Sequence, residues 1–103
     1  MSSLFIALGP GVNRNGVVVP HARPRISGDV DVAASSAVLQ IGGADVTGGE
    51  GEFWFLTARS ADIVIAVGDA PTAGTDPGHL CPTGTPMAFP VNKAGEKIAA
   101  KNA

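Results

Sequence analysis

The chain has 103 residues with 7 basic against 9 acidic side chains, a net charge of −2 and a single cysteine. That length suits one domain burying roughly 60–65% of its unfolded surface, and a lone cysteine excludes an internal disulfide. No basic cluster exists to neutralise several phosphates, and no apolar run approaches a membrane helix in length, so neither nucleic acid nor membrane is an expected partner. Charged residues make up only 16%, and 14 Gly and 8 Pro punctuate the chain without any helical periodicity. This pattern points to an all-β domain rich in turns. So few charges also give little protection against association.

In chain order, residues 1–25 read as an extended N-terminal arm and 26–103 as a β-sandwich domain. Leu4-Phe5-Ile6-Ala7-Leu8 suits one short strand, ended by Gly9-Pro10-Gly11. It is shorter than a signal-peptide core and lacks a basic lead-in, so the chain is expected to fold in the cytoplasm where it is made. Asn15-Gly16 suits a tight turn with positive φ before a second short strand, Val17-Val18-Val19. His21-Ala22-Arg23-Pro24-Arg25 is held extended by its prolines. So Gly- and Pro-rich a segment has a poor prospect of making its own core, and packing along a neighbour is expected of it.

From Ile26 the pattern becomes regular. Asp29-Val30-Asp31-Val32 alternates as a strand with one wet face, and Ala37, Leu39 and Ile41 share an inward parity. Gly42-Gly43 and Gly48-Gly49 bracket a small hairpin or loop. Glu52 to Gly68 then holds two apolar runs around Arg59-Ser60-Ala61-Asp62, read as a central antiparallel hairpin. Trp54, Leu56, Ile63, Ile65 and Val67 fall on one face, and Phe53, Phe55, Val64 and Ala66 on the other. Both faces are apolar, so the second must be covered by the chain's own loops or by another protein. Residues 68–78 form a long turn-rich loop; His79-Leu80-Cys81, Met87 to Val91 and Glu96 to Ala100 complete the strands. Pro90 marks an edge strand. The expected architecture is an antiparallel, jelly-roll-like sandwich of about seven or eight strands.

No constellation carries chemistry. His79 and Cys81, with His21 as the only other histidine, fall short of a zinc ligand set, leaving His79 to cap a loop and Cys81 to the core. The loop from Gly68 to Gly74 lacks the Gly-Lys-Ser/Thr ending of a phosphate loop. Asp69 and Asp76 suit turn capping better than a calcium site. Ser27, Ser35, Ser36 and Ser60 lie outside any nucleophile motif. The reading is a non-enzyme without catalytic residue, metal or cofactor.

A resemblance goes further. Glu52-Phe53-Trp54-Phe55-Leu56-Thr57-Ala58, then Asp62-Ile63-Val64-Ile65-Ala66-Val67-Gly68-Asp69-Ala70-Pro71-Thr72-Ala73, is followed by Leu80 to Val91 and a closing Gly95-Glu96-Lys97-Ile98-Ala99. This run, about half the chain, resembles small virion-associated β-sandwich proteins of tailed bacteriophages that decorate or cement the head. The resemblance implies a structural protein, often trimeric, that binds the major capsid protein on the outer head surface of the virion. Collar, head–tail connector, tail and fibre modules are the alternative, and a ligand- or glycan-binding sandwich is disfavoured because the aromatics lie within strand patterns. The residues expected at a protein interface are Leu4, Phe5, Ile6, Val17, Val18, Val19, Phe53 and Phe55.

Overall fold

A computed structural model describes residues 2–20 and 22–103; His21, weighed above as a histidine for a metal site, and Met1 lie outside them. The described residues form strands β1 (Ser2–Gly9), β2 (Gly11–Arg14), β3 (Val17–Pro20), β4 (Ile26–Val32), β5 (Ala37–Val38) and β6 (Gln40–Ile41). Further along come β7 (Ala44–Asp45), β8 (Phe53–Arg59), β9 (Ile63–Gly68), β10 (Gly78–Cys81), β11 (Met87–Pro90) and β12 (Lys97–Asn102). The chain is an all-β antiparallel sandwich. One sheet has the order β11-β8-β1-β4 and the other β10-β9-β12-β5, while β2-β3 and β6-β7 are separate two-stranded ribbons. Among the described residues the count is twelve strands rather than seven or eight. The surplus arises because two-residue strands and the β2-β3 ribbon fall below the length at which alternation shows.

The first correction concerns the N-terminus. β1 is no arm: it lies between β8 and β4, pairing Ile6 with Leu56 on one side and Gly28 on the other. Leu4, Ile6 and Leu8 are fully buried. Their period-two spacing places all three on one side of the strand, which here is the core side. The boundary expected after Arg25 therefore cuts through a sheet, and Leu4 and Ile6 are core residues instead of interface residues.

The second correction concerns the central hairpin. β8 and β9 belong to opposite sheets, so residues 59–62 arch across the sandwich instead of closing a hairpin within one sheet. Ser60 takes a left-handed φ of 76° in this arch, and Asp62 Oδ1 accepts from the Thr83 N–H at 2.8 Å and the Thr83 hydroxyl at 2.9 Å. The face assignment nevertheless survives. Trp54 and Leu56 point inward from one sheet, Ile63 and Ile65 from the other, and all four are buried. They meet across the sandwich with Leu39, Val46, Cys81 and Ile98. Leu39 is buried as its parity requires, whereas Ala37 is exposed on the edge strand β5. Edge strand β11 contains Pro90, which has no N–H for a further ladder.

One polar contact crosses the core. The Trp54 indole Nε1 donates to Glu96 Oε1 at 2.9 Å, and the same oxygen accepts the Asn92 N–H at 3.1 Å. Glu96 immediately precedes β12 and is itself buried. The bond thus ties the indole of one sheet to the entrance of a central strand in the other.

Candidate protein-interaction face

The two outer faces of the sandwich are covered differently. The chain's own long loop lies over the β12 side of the β10-β9-β12-β5 sheet, while Leu80 on the edge strand β10, paired with Val64, stays 51% exposed. Ala73 in that loop is buried, its N–H donates to Ser36 Oγ at 2.8 Å, and Gly74 packs beside the aliphatic stem of Lys101. Ala66 and Ala99, which face outward there, are buried in consequence.

The outer face of the other sheet is built from β11, β8, β1 and β4. Register aligns Ala88, Phe55, Ala7 and Ser27 in one row, and Thr57, Phe5 and Asp29 in the next. The β2-β3 ribbon folds back over this face, with the Ala22–Pro24 segment beside it. Its turn is Asn15-Gly16 with φ of 54° and 81°, both left-handed as a two-residue turn of this kind requires, and Asn13 Oδ1 accepts the Gly16 N–H at 3.0 Å. Gly11 allows the close approach: a Cβ there would stand 2.8 Å from Phe53 Cδ1 and 3.1 Å from Phe55 Cζ. The ribbon leaves part of the face open: Ala7 is buried, and Phe53, Phe55, Thr57 and Ala88 are half-buried. Phe5 and Val17 stay exposed, at 37% and 60%.

Two apolar grooves remain between ribbon and sheet. One, of about 190 Å³, is lined by Phe5, Ala7, Gly9, Pro10, Pro20, Ala22, Pro24 and Phe55. The other, of about 570 Å³, runs along Gly16 to Pro20 and is walled by Phe55, Pro86 and Ala88. Five of the eight residues singled out from sequence therefore line these grooves, namely Phe5, Val17, Val18, Val19 and Phe55, and Phe53 lies beside them under Gly11. Leu4 and Ile6 do neither. Sequence reasoning missed the contribution of Pro20, Ala22, Pro24, Pro86 and Ala88. Ala88 could have been found by extending the parity of Phe89 on β11, but no local signal relates the proline segments to the face.

The polar groups frame this face. At one end Arg59 and Asp29 reach across β1 to an ion pair at 3.2 Å; both are exposed, so the pair adds little to stability. At the other end Arg25 Nε and Nη2 each approach the Glu52 carboxylate at 2.9 Å, and Nη2 also donates to the Thr47 carbonyl. Arg25 hydrogen bonding, with the Gly49 N–H, holds Glu52 below the usual carboxylate range.

The other candidates of the sequence occupy separate places. His79 lies in β10 with its ring 5.1 Å from that of Phe89, and so belongs to a strand and not to a loop cap. Burial pushes the Cys81 thiol up to about 11. Asp69 pairs with Lys93 at 3.4 Å and Asp76 accepts the Thr72 N–H at 2.8 Å, so the two carboxylates have different partners. Among the described residues no group of three or more His, Cys, Asp or Glu side chains is placed to hold a metal ion. Comparison with protein-family models, curated proteins and solved structures finds no match to this chain.

Proposed function

We propose that the protein is a structural subunit of a virion, a decoration or cement protein that binds the outer head surface through the β11-β8-β1-β4 face. The observation carrying this reading is that the β11-β8-β1-β4 face keeps apolar grooves around Phe5, Val17 and Phe55, whereas the long loop packs on the other face and leaves Leu80 of edge strand β10 as its exposed large apolar side chain. Exposed contiguous apolar surface of this kind marks a protein contact. The head location comes from the resemblance of residues 50–100 to phage β-sandwich proteins. The major capsid protein is the partner proposed, with self-association into a trimer on the particle.

The test is cosedimentation of the chain with purified heads, and separately with tails, of the particle encoded beside it. The wild type should sediment with heads. The Phe5→Thr/Val17→Thr variant, which places a β-branched residue at both strand positions, should retain its melting temperature and lose most of its binding. Binding to tails alone would move the protein to a connector, collar or fibre position. Binding unaffected by the double variant would overturn the docking face.

A further inference from the structure

The larger groove follows one strand along its length. Its lining takes every residue from Gly16 to Pro20 in turn and none from β2, so it lies along the open edge of β3. Among the described strands β3 pairs only with β2. In a hairpin with a two-residue turn, Arg14 and Val17 flank the turn as a hydrogen-bonded pair, and the Asn13–Val18 pair that follows is non-bonded. Val18 therefore turns both its N–H and its C=O away from β2, toward the groove. Among the described residues no backbone bond outside the strand ladders engages any residue of β3. The opposite wall, Phe55, Pro86 and Ala88, offers apolar side chains and no charge.

The segment that builds this site carries charges of one sign only. Arg14, Arg23 and Arg25 are the only charged residues before Asp29, in a chain whose net charge is −2. Arg25 is engaged by Glu52. Arg14 and Arg23 are exposed and make no ion pair among the described residues. Arg14 stands directly across the ribbon from Val17, at one end of the groove. Arg23 lies between Ala22 and Pro24 of the adjoining groove. Two unpaired cations beside an apolar channel with a free strand edge complement a specific kind of occupant.

We infer that the β3 edge is a strand-addition site for an extended segment of a partner protein, apolar along its length and carrying carboxylates at its ends. The partner backbone pairs with Val18, its side chains face Phe55, Pro86 and Ala88, and its carboxylates meet Arg14 and Arg23. Main-chain bonds supply affinity in this mode of recognition, and side-chain pockets and charges supply selectivity. The inference rests on the docking face proposed above and names the chemistry of what docks there.

The probe is a blocked hexapeptide of alternating valine and threonine with glutamate at both ends, titrated into the isotope-labelled full chain and followed by amide chemical shifts. A control peptide carries lysine in place of both glutamates. The glutamate peptide should give saturable shifts at Val17, Val18 and Val19 and on β11, and the lysine peptide none. Val18→Pro removes one N–H that β2 does not use and should weaken binding roughly tenfold, the order of one hydrogen bond. Arg14→Ala/Arg23→Ala, at exposed positions, should weaken it roughly three- to tenfold and flatten its salt dependence. Absence of saturable shifts up to millimolar peptide overturns the inference, as does an equal response to both peptides or a response to anionic vesicles instead. Head cosedimentation of the same variants separates the two levels. Attachment that survives in both variants removes strand addition and leaves the docking face standing, whereas a wild type that never attaches removes the docking face itself.

Discussion

Replacing Glu96 by alanine should be among the most costly single substitutions outside the aliphatic core. The carboxylate is 4% exposed and the indole it binds is fully buried. In Glu96→Ala the Trp54 N–H loses its acceptor at 2.9 Å in a site without solvent, and the Asn92 N–H loses the same atom. A hydrogen bond to a charged group contributes about 1.5–3 kcal/mol, and a stranded buried donor costs about 1–3 kcal/mol. These overlap, so the expected loss is about 3 kcal/mol. For a domain of this size each kcal/mol lowers the melting temperature by roughly 4–8 °C, which gives a drop of about 12–24 °C. Glu96→Gln retains an acceptor oxygen and should lose about 1 kcal/mol. Calorimetry on Trp54→Phe, Glu96→Ala and the double variant isolates the pair, with a coupling of about 1–2 kcal/mol expected. A loss below about 1 kcal/mol in Glu96→Ala, or zero coupling, would refute the argument that this bond ties the sheets together.

Three further outcomes follow from the same geometry. Deleting residues 1–9 removes an inner strand with Leu4, Ile6 and Leu8, so the truncated chain should show no cooperative melting transition; a folded product would mean that β1 is dispensable. Glu52 and Asp62 have carboxyl pKa values lowered in the fold, by Arg25 and by the Thr83 N–H and hydroxyl. Their stabilisation is therefore present above the unfolded carboxylate range and lost as pH falls through the folded values. Melting temperature should decline below about pH 4, and less steeply in Asp62→Asn, which keeps the acceptor. Cys81, buried and shifted up to about 11, should react with a thiol reagent at neutral pH only after denaturant is added; prompt labelling of the native chain would contradict its place in the core.

What the sequence could and could not convey follows from the kind of signal each feature leaves. Alternation reports the side of a strand on which a residue lies, and so Trp54, Leu56, Ile63 and Ile65 were legible as one inward set. Alternation does not report which strand is the neighbour. Two apolar runs joined by four polar residues read equally as a hairpin in one sheet or an arch between two, and the second is what forms. β1 carried a legible signal as well, Leu4, Ile6 and Leu8 at period two, but the Gly and Pro that follow it argued for an arm. Those residues shape the turns and ribbon beyond the strand instead. Asn15-Gly16 and Pro90 were legible because their backbone chemistry is local: positive φ in one case, a missing donor in the other. The bond between Trp54 and Glu96 spans 42 residues and leaves no local trace. The proposed docking face was half legible: its aromatic and valine residues stood out, while the prolines, and the two arginines without an ion pair among the described residues, acquire meaning only once the ribbon is folded over β8.

The central claim is that the sandwich meets its partner through the β11-β8-β1-β4 face. The most direct measurement is a three-dimensional reconstruction of heads carrying the bound protein, at a resolution that distinguishes the two sheets. The account predicts Phe5, Val17 and Phe55 turned toward the capsid, with the long loop over the other sheet facing solvent. Heads contacted through the loop and the β10-β9-β12-β5 sheet, with Phe5 and Val17 left in solvent, would contradict it.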